Sequence, residues 1–218
     1  MSGLLKNIPL FHELNATDLA TVEALAVDKH VPRGTTILNE GEIGDSLFVI
    51  VEGRVKVFIG DDEGREITLK LLGAGDFFGE MSLIDKQPRS ASVSAMENTS
   101  LKVLSYQAFY DCLQSTPAIG INVMTSLAKR LRDADRKISN LALMDVYGRV
   151  ASTLLELAIT TDGKLVVGEK LSQQDIANMV GASREMVNRI LKDLSDRGFI
   201  SIESKQIIIH DHRLPPSF

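Results

Sequence analysis

The apolar positions Leu19, Val22, Leu25 and Ala26 follow a polar start at spacings of three and four, which predicts a short helix over 15–27. The pattern then changes. Short strand-like runs at 36–38, 46–52, 54–59, 66–72, 90–96 and 101–104 are separated by glycine and aspartate clusters, the signature of a small β-barrel or sandwich. Helical spacing returns after Pro117. Met124, Leu127, Leu131, Ala134, Ile138 and Leu141 follow one another at intervals of 3, 4, 3, 4 and 3, with Lys129, Arg130, Arg132, Arg136 and Lys137 mostly off that line. One long helix is predicted. A seam so narrow, sustained for about two and a half heptads, fits pairing with a second copy of the helix better than packing on its own domain, hence a parallel homodimer. Beyond Asp145, a candidate cap, a further helix is predicted over 146–159, ending before Thr161, Asp162 and Gly163.

With 44% apolar and 24% charged residues in 218, the chain has ordinary globular composition and room for one or two domains. No run approaches the ~20 apolar residues of a spanning helix, and MSGLLKNIPLF lacks the flank and apolar stretch of a secretory signal, so no membrane association and a cytoplasmic location are expected. Cys112 is the only cysteine, which rules out a disulfide and a thiolate metal set. His12, His30, His210 and His212 form no HxxxH or Cys-His pairing and no GxSxG is present, so neither a metal site nor an enzyme is expected. The net charge of -5 is unevenly placed: residues 1–127 carry 10 basic and 17 acidic side chains, whereas 148–218 carry 9 of each. A neutral C-terminal part is no electrostatic footprint for nucleic acid, so DNA binding must rest on particular residues.

Two stretches supply such residues. In GDFFGEMSLIDKQPRSASVSA (75–95), Gly79 and Glu80 open a short turn or helix whose free N–H groups favour an anion, and Pro88, Arg89, Ser90 and Ala91 follow nine residues on. An arginine there can neutralise a phosphate, a serine hydroxyl can add a bond, and a glutamate can accept from a ribose hydroxyl, which together describe a cyclic nucleotide pocket. Taken singly, Gly-Glu is a common turn and Glu80 with Arg89 a common surface ion pair. The second stretch is LSQQDIANMVGASREMVNRILKDLSDRGFI, from Leu171. Ser172 can cap a helix over 173–179, Gly181 supplies a turn, and Ser183 can cap a second helix with Met186, Val187, Ile190, Leu191 and Leu194 on its apolar face. On the opposite face Arg184, Glu185, Asn188 and Arg189 either meet base edges in a major groove or form a solvated face with pairs such as Glu185 with Arg189.

FGEMSLIDKQPRSA resembles the phosphate-binding cassette of cyclic-nucleotide-binding domains, and SREMVNRILKDLSDRGFI is similar to the winged helix-turn-helix of the CRP/FNR family of transcription regulators. The resemblance covers essentially the whole chain. It implies an α+β fold: a cyclic-nucleotide-binding β-roll or jelly roll over 1–117, a long dimerisation helix over 118–144, and a winged helix-turn-helix over 145–218, with ISIESKQIIIHD as the wing and the final RLPPSF as a frayed end. Gly79, Met81, Arg89 and Ser90 are implied to contact the cyclic phosphate and Glu80 the ribose 2′-hydroxyl. Arg184, Glu185 and Arg189 are implied to read bases, with Ser172, Gln173, Gln174, Ser183 and Asn188 as neighbouring positioning or phosphate contacts. Where the family's cyclic-AMP receptors offer a Thr and a Ser to the adenine, this chain has Ala134 and Asp135. Asp135 could accept from an amino group. Cyclic AMP is the leading expectation for the effector, with cyclic GMP, which Ser90 equally allows, and cyclic di-GMP as alternatives. The expected partners are double-stranded DNA with two half-sites, RNA polymerase and a second copy through 121–144. Two other readings are a regulator of the same fold that answers to no nucleotide, and a nucleotide-binding module acting on protein partners.

Overall fold

The structure, a computed structural model, describes residues 8–11, 14–168, 171–203 and 206–210; His12, His212 and the 213–218 tail lie outside them. The chain divides into two compact units, Met1–Leu131 and Arg132–Phe218.

In the first unit Asn15 caps helix α1 (Ala16–Leu25) by accepting from the backbone N–H groups of Thr17 and Asp18. The helix stops short of the predicted end because Ala26 turns extended and Val27–Val31 becomes strand β1, pairing with β8 (Thr99–Ser105). Between them lie β2 (Thr36–Leu38), β3 (Ser46–Glu52), β4 (Val55–Gly60), β5 (Glu66–Leu72), β6 (Phe77–Phe78), helix α2 (Glu80–Asp85) and β7 (Ser92–Ala95). They form two antiparallel four-stranded sheets, ordered β1-β8-β3-β6 and β2-β7-β4-β5. Strand β3 explains its own unbroken apolar run. Leu47 and Val49 enter one core cluster with the helices, while Phe48 and Ile50 on the other face enter a second with Val55, Leu72, Phe78, Val93 and Leu101.

Helix α3 (Tyr106–Ser115) was not foreseen from the periodicity. Ser105, the last residue of β8, caps it directly, and Ala108, Phe109 and Cys112 are buried in the helical-side core. Helix α4 (Pro117–Leu143) follows. Ile119 and Val123 are buried in the core of the first unit and Leu127 packs partly against it, so the predicted seam is mixed: Leu127 serves its own unit. Ile121, Met124, Leu131 and Ile138 are exposed, Leu131 by 64% and Ile138 by 65%.

In the second unit Asp145 caps helix α5 (Val146–Glu156) through the N–H of Gly148 at 2.8 Å. The helix ends before 159, because Ala158–Thr161 forms strand β9, which pairs with β10 (Lys164–Val167) across a turn with positive φ at both Asp162 and Gly163. Helices α6 (Gln173–Val180) and α7 (Arg184–Asp196) and strands β11 (Ile200–Glu203) and β12 (Gln206–Ile209) complete the unit, with sheet order β11-β12-β10-β9. This is a winged helix-turn-helix. Its core joins Val150 and Leu154 of α5, Ile176, Ala177 and Val180 of α6, and Val187, Ile190, Leu191 and Leu194 of α7.

Candidate effector pocket and nucleic-acid interface

Strand β6 presents the cassette. Phe77 and Phe78 pair with Val49 and Phe48 of β3, and the rings of Phe48 and Phe78 stack at 5.1 Å, fixing where the chain leaves the sheet. Gly79 then turns left-handed (φ 85°) into α2. A Cβ there would stand 2.9 Å from the Ser46 carbonyl oxygen, so the turn admits only glycine. Arg89 returns to the same point, only 6% exposed. Its Nη1 donates to the Gly79 carbonyl at 2.5 Å and its Nη2 to the Ser46 carbonyl at 2.8 Å. The backbone of Arg89 is stitched to the 41–44 turn as well, its N–H donating to Glu42 and its carbonyl accepting from Gly41, both at 2.8 Å. Burial lowers the pKa of the guanidinium, and the carboxylates of Asp45, Glu80 and Glu42 oppose that shift. The cation stays charged.

Glu80 is 1% exposed, and its carboxylate pairs with Arg130 Nη1 of α4 at 3.0 Å. Arg130 also donates to the Phe77 carbonyl and lies 4.8 Å above the Phe77 ring. Burial pushes the Glu80 carboxyl up, against the pull of Arg130, its own backbone N–H and Arg89. A buried guanidinium, its two terminal nitrogens held by backbone carbonyls, thus lies beside a buried carboxylate held by Arg130, and these are the group types that bind a phosphate and a hydroxyl. Met81 and Ser90 are exposed beside them, with the Ser90 hydroxyl 3.8 Å from the Met81 sulfur. Gly79, Glu80, Met81, Arg89 and Ser90 are therefore brought together. Asp135 is exposed on α4 and belongs to the second unit. Sequence reasoning passed over Gly44, where a Cβ would come within 2.3 Å of Arg89 Cζ, and the Ser46 carbonyl. Neither carries a side-chain signal: one acts by lacking a Cβ, the other through its backbone.

In the second unit Ser172 and Asp175 form a reciprocal capping box at the start of α6, Gly181 turns left-handed (φ 64°), and Ser183 caps α7 by accepting from the Met186 N–H. With Val187, Ile190, Leu191 and Leu194 buried, Arg184, Glu185, Asn188 and Arg189 are all exposed on α7. Glu185 is held below its ordinary pKa by its own backbone N–H, then by Ser183 and the flanking Arg184 and Arg189. Gln173 donates to Asn188 across the two helices at 2.8 Å, whereas Gln174 donates along its own helix to Asn178 at 2.7 Å. Arg149 of α5 ties the turn down, donating to the Val180 carbonyl at 2.9 Å and the Met144 carbonyl at 3.0 Å. Tyr147, buried in α5, donates to Asp193 of α7 at 2.8 Å, and its hydroxyl is pushed up to about 12 by burial and by Asp193. His30 and His210 contact Ser100 and Ser201, and among the described residues no group of His, Cys, Asp or Glu is arranged to hold a metal ion.

A model of the cyclic nucleotide-binding domain matches residues 28–116, and one of the Crp-like helix-turn-helix domain matches 148–214. The chain is 35% identical over 215 residues to a CRP-like cAMP-activated global transcriptional regulator of Mycobacterium tuberculosis, covering 97% of this chain and 96% of that one. It is 39% identical over 189 residues to the cAMP-activated global transcriptional regulator CRP of Pasteurella multocida, covering 84% and 89%. Among solved structures, the c-di-GMP responsive global regulator CLP of Xanthomonas campestris superposes with a TM-score of 0.79 at 28% identity, over 90% of this chain and 100% of the other.

Proposed function

This chain belongs to the CRP/FNR family of DNA-binding transcription regulators, which are not enzymes, and from that premise we propose that it is a homodimer whose DNA binding is switched by cyclic AMP. The observation that carries the effector assignment is the buried pair of opposite chemistries, Arg89 for a cyclic phosphate and Glu80 for the adjoining ribose hydroxyl. Gly79, Met81 and Ser90 complete the phosphate contacts. Cyclic AMP is the ligand to which the names of the M. tuberculosis and P. multocida relatives refer. Asp135 is assigned as the acceptor for the adenine amino group. A second reading has the same pocket take cyclic di-GMP, and two facts favour it: Ala134 and Asp135 replace the family's Thr and Ser, and the X. campestris relative is c-di-GMP responsive.

The signal passes through α4. A ribose hydroxyl on Glu80 competes with Arg130 for the same carboxylate, so ligand binding changes what holds this point of the long helix. That differential interaction biases two arrangements of the dimer. In the favoured one, Arg184, Glu185 and Arg189 of each copy read one half-site, the two being about one helical turn apart. Ser172, Ser183 and Gln174 position the helices or meet phosphates. RNA polymerase is the downstream partner. Calorimetric titration of the wild type and Arg89→Ala with cyclic AMP, cyclic GMP and cyclic di-GMP tests the pocket. Cyclic AMP binding by the wild type and its loss in a folded Arg89→Ala are expected; unchanged affinity in the variant would overturn the assignment.

A further inference from the structure

We propose that Lys70 is a specificity-determining residue of the effector pocket, donating to the edge of a guanine base so that the pocket takes a guanine-bearing cyclic nucleotide as well as cyclic AMP. The inference rests on the reading of Arg89 and Glu80 as phosphate and ribose contacts. Residues directly opposite across antiparallel strands share one face of the sheet. In the sheet β2-β7-β4-β5, Val55 stands between Ala95 and Leu72, and Val57 between Val93 and Lys70. Val55, Leu72, Val93 and Ala95 belong to the core that also holds Phe48 and Phe78, and Val57 packs against it, so Lys70 stands on the inward face. The two rows differ in burial. Ala95, Val55 and Leu72 are buried, whereas Val57, Lys70 and the next inward pair, Ile59 and Ile67, are only partly so. The inner face is closed at one end and open at the other.

The open end is where the cassette enters the sheet. Ala91, two residues before Val93 and buried like it, continues the same face toward Ser90 and Arg89. The Arg89 guanidinium is fixed by the Gly79 and Ser46 carbonyls. A nucleotide with its phosphate at Arg89 and its ribose hydroxyl at Glu80 still has its base to place, and a base needs apolar surface against its faces and a polar group at its edge. Val57, Ile59 and Ile67 supply the first and Lys70 the second. On an otherwise apolar inward face a lysine is a costly choice for packing alone, because its ammonium must keep polar company. That ammonium carries three donors and no acceptor. It matches the O6 and N7 acceptors that guanine sets side by side, whereas adenine sets an N6 donor beside N7.

Calorimetric titration of the full-length protein with cyclic AMP, cyclic GMP and cyclic di-GMP, in wild type, Lys70→Met and Lys70→Arg, tests this, with thermal unfolding to check that each variant is folded. The wild type should bind cyclic AMP and at least one guanine nucleotide. Lys70→Met keeps the length of the side chain and removes its donors, so it should weaken the guanine nucleotide about tenfold while moving cyclic AMP by no more than about twofold. Lys70→Arg keeps charge and donors and should retain guanine binding. Whether the loss falls on cyclic GMP or on cyclic di-GMP identifies which of the two the pocket takes. An equal loss for cyclic AMP and the guanine nucleotide in Lys70→Met would assign Lys70 to packing, and unchanged affinities would place its ammonium in solvent; either result overturns the inference. So would a wild type that binds cyclic AMP and no guanine nucleotide, which leaves the reading of Arg89 and Glu80 intact. If no nucleotide binds the wild type, that reading fails as well.

Discussion

A methyl group at position 44 would reach within 2.3 Å of the Arg89 Cζ atom, nearer than any relaxed contact. Gly44→Ala should therefore push the guanidinium off the carbonyls of Gly79 and Ser46, losing charge-assisted bonds, and weaken cyclic AMP binding about tenfold or more in calorimetry. Unchanged affinity would mean that the guanidinium does not need this seat. Glu80 yields a pH signature. Its carboxyl is raised above 4.5 by burial, so between 4.5 and the raised native value the folded chain binds more protons than the unfolded one. Stability contributed by this group is thus lost as pH rises through that window. In urea unfolding from about pH 4 to about pH 8, the difference between wild type and Glu80→Gln should move in favour of the variant and then level off. A flat difference would contradict the shift. That these side chains come together was legible in FGEMSLIDKQPRSA through its resemblance to the phosphate-binding cassette. The supporting set was not, since carbonyls and absent Cβ atoms have no residue code.

Helix α4 leaves Ile121, Met124, Leu131 and Ile138 exposed on a 27-residue helix. Burying such a stripe against a second copy removes apolar surface from water at roughly 25 cal/mol per Å². Leu131→Glu with Ile138→Glu should convert a dimer to a monomer in analytical ultracentrifugation, and a dimer retained by this variant would displace the seam. At this scale the strongest periodicities were the most readable. The α7 face declared itself because its apolar and polar residues alternate at helical spacing, and β3 because both of its faces are buried. Helix α3 escaped notice because its aromatic run YQAFYD follows directly on Ser105, the last residue of β8, where no glycine or proline marks the change. Strand β1 was missed for the opposite reason, its first residue alone falling within the predicted helix. Val27 continues the apolar spacing of α1, but the ladder to β8 decides its backbone.

For the whole chain, the acidity sits in residues 1–127 and the C-terminal 148–218 is balanced, so long-range attraction to DNA is weak and, on the proposed reading, recognition depends on the few side chains that α7 presents. On the proposed reading, a modest coupling free energy from the effector then decides whether those side chains engage both half-sites. The order of the two regions, effector domain at 28–116 and helix-turn-helix at 148–214, follows from motifs that the sequence carries in full. The ion pair of Arg130 on α4 with the buried Glu80, by contrast, lies within the first unit and is carried by neither motif. The most direct test is a DNA-binding isotherm of the full-length protein on a selected duplex, measured with and without saturating cyclic AMP. Binding is expected to tighten with the nucleotide, by about tenfold or more, with no such gain in Arg89→Ala. The same affinity with and without cyclic AMP would contradict it.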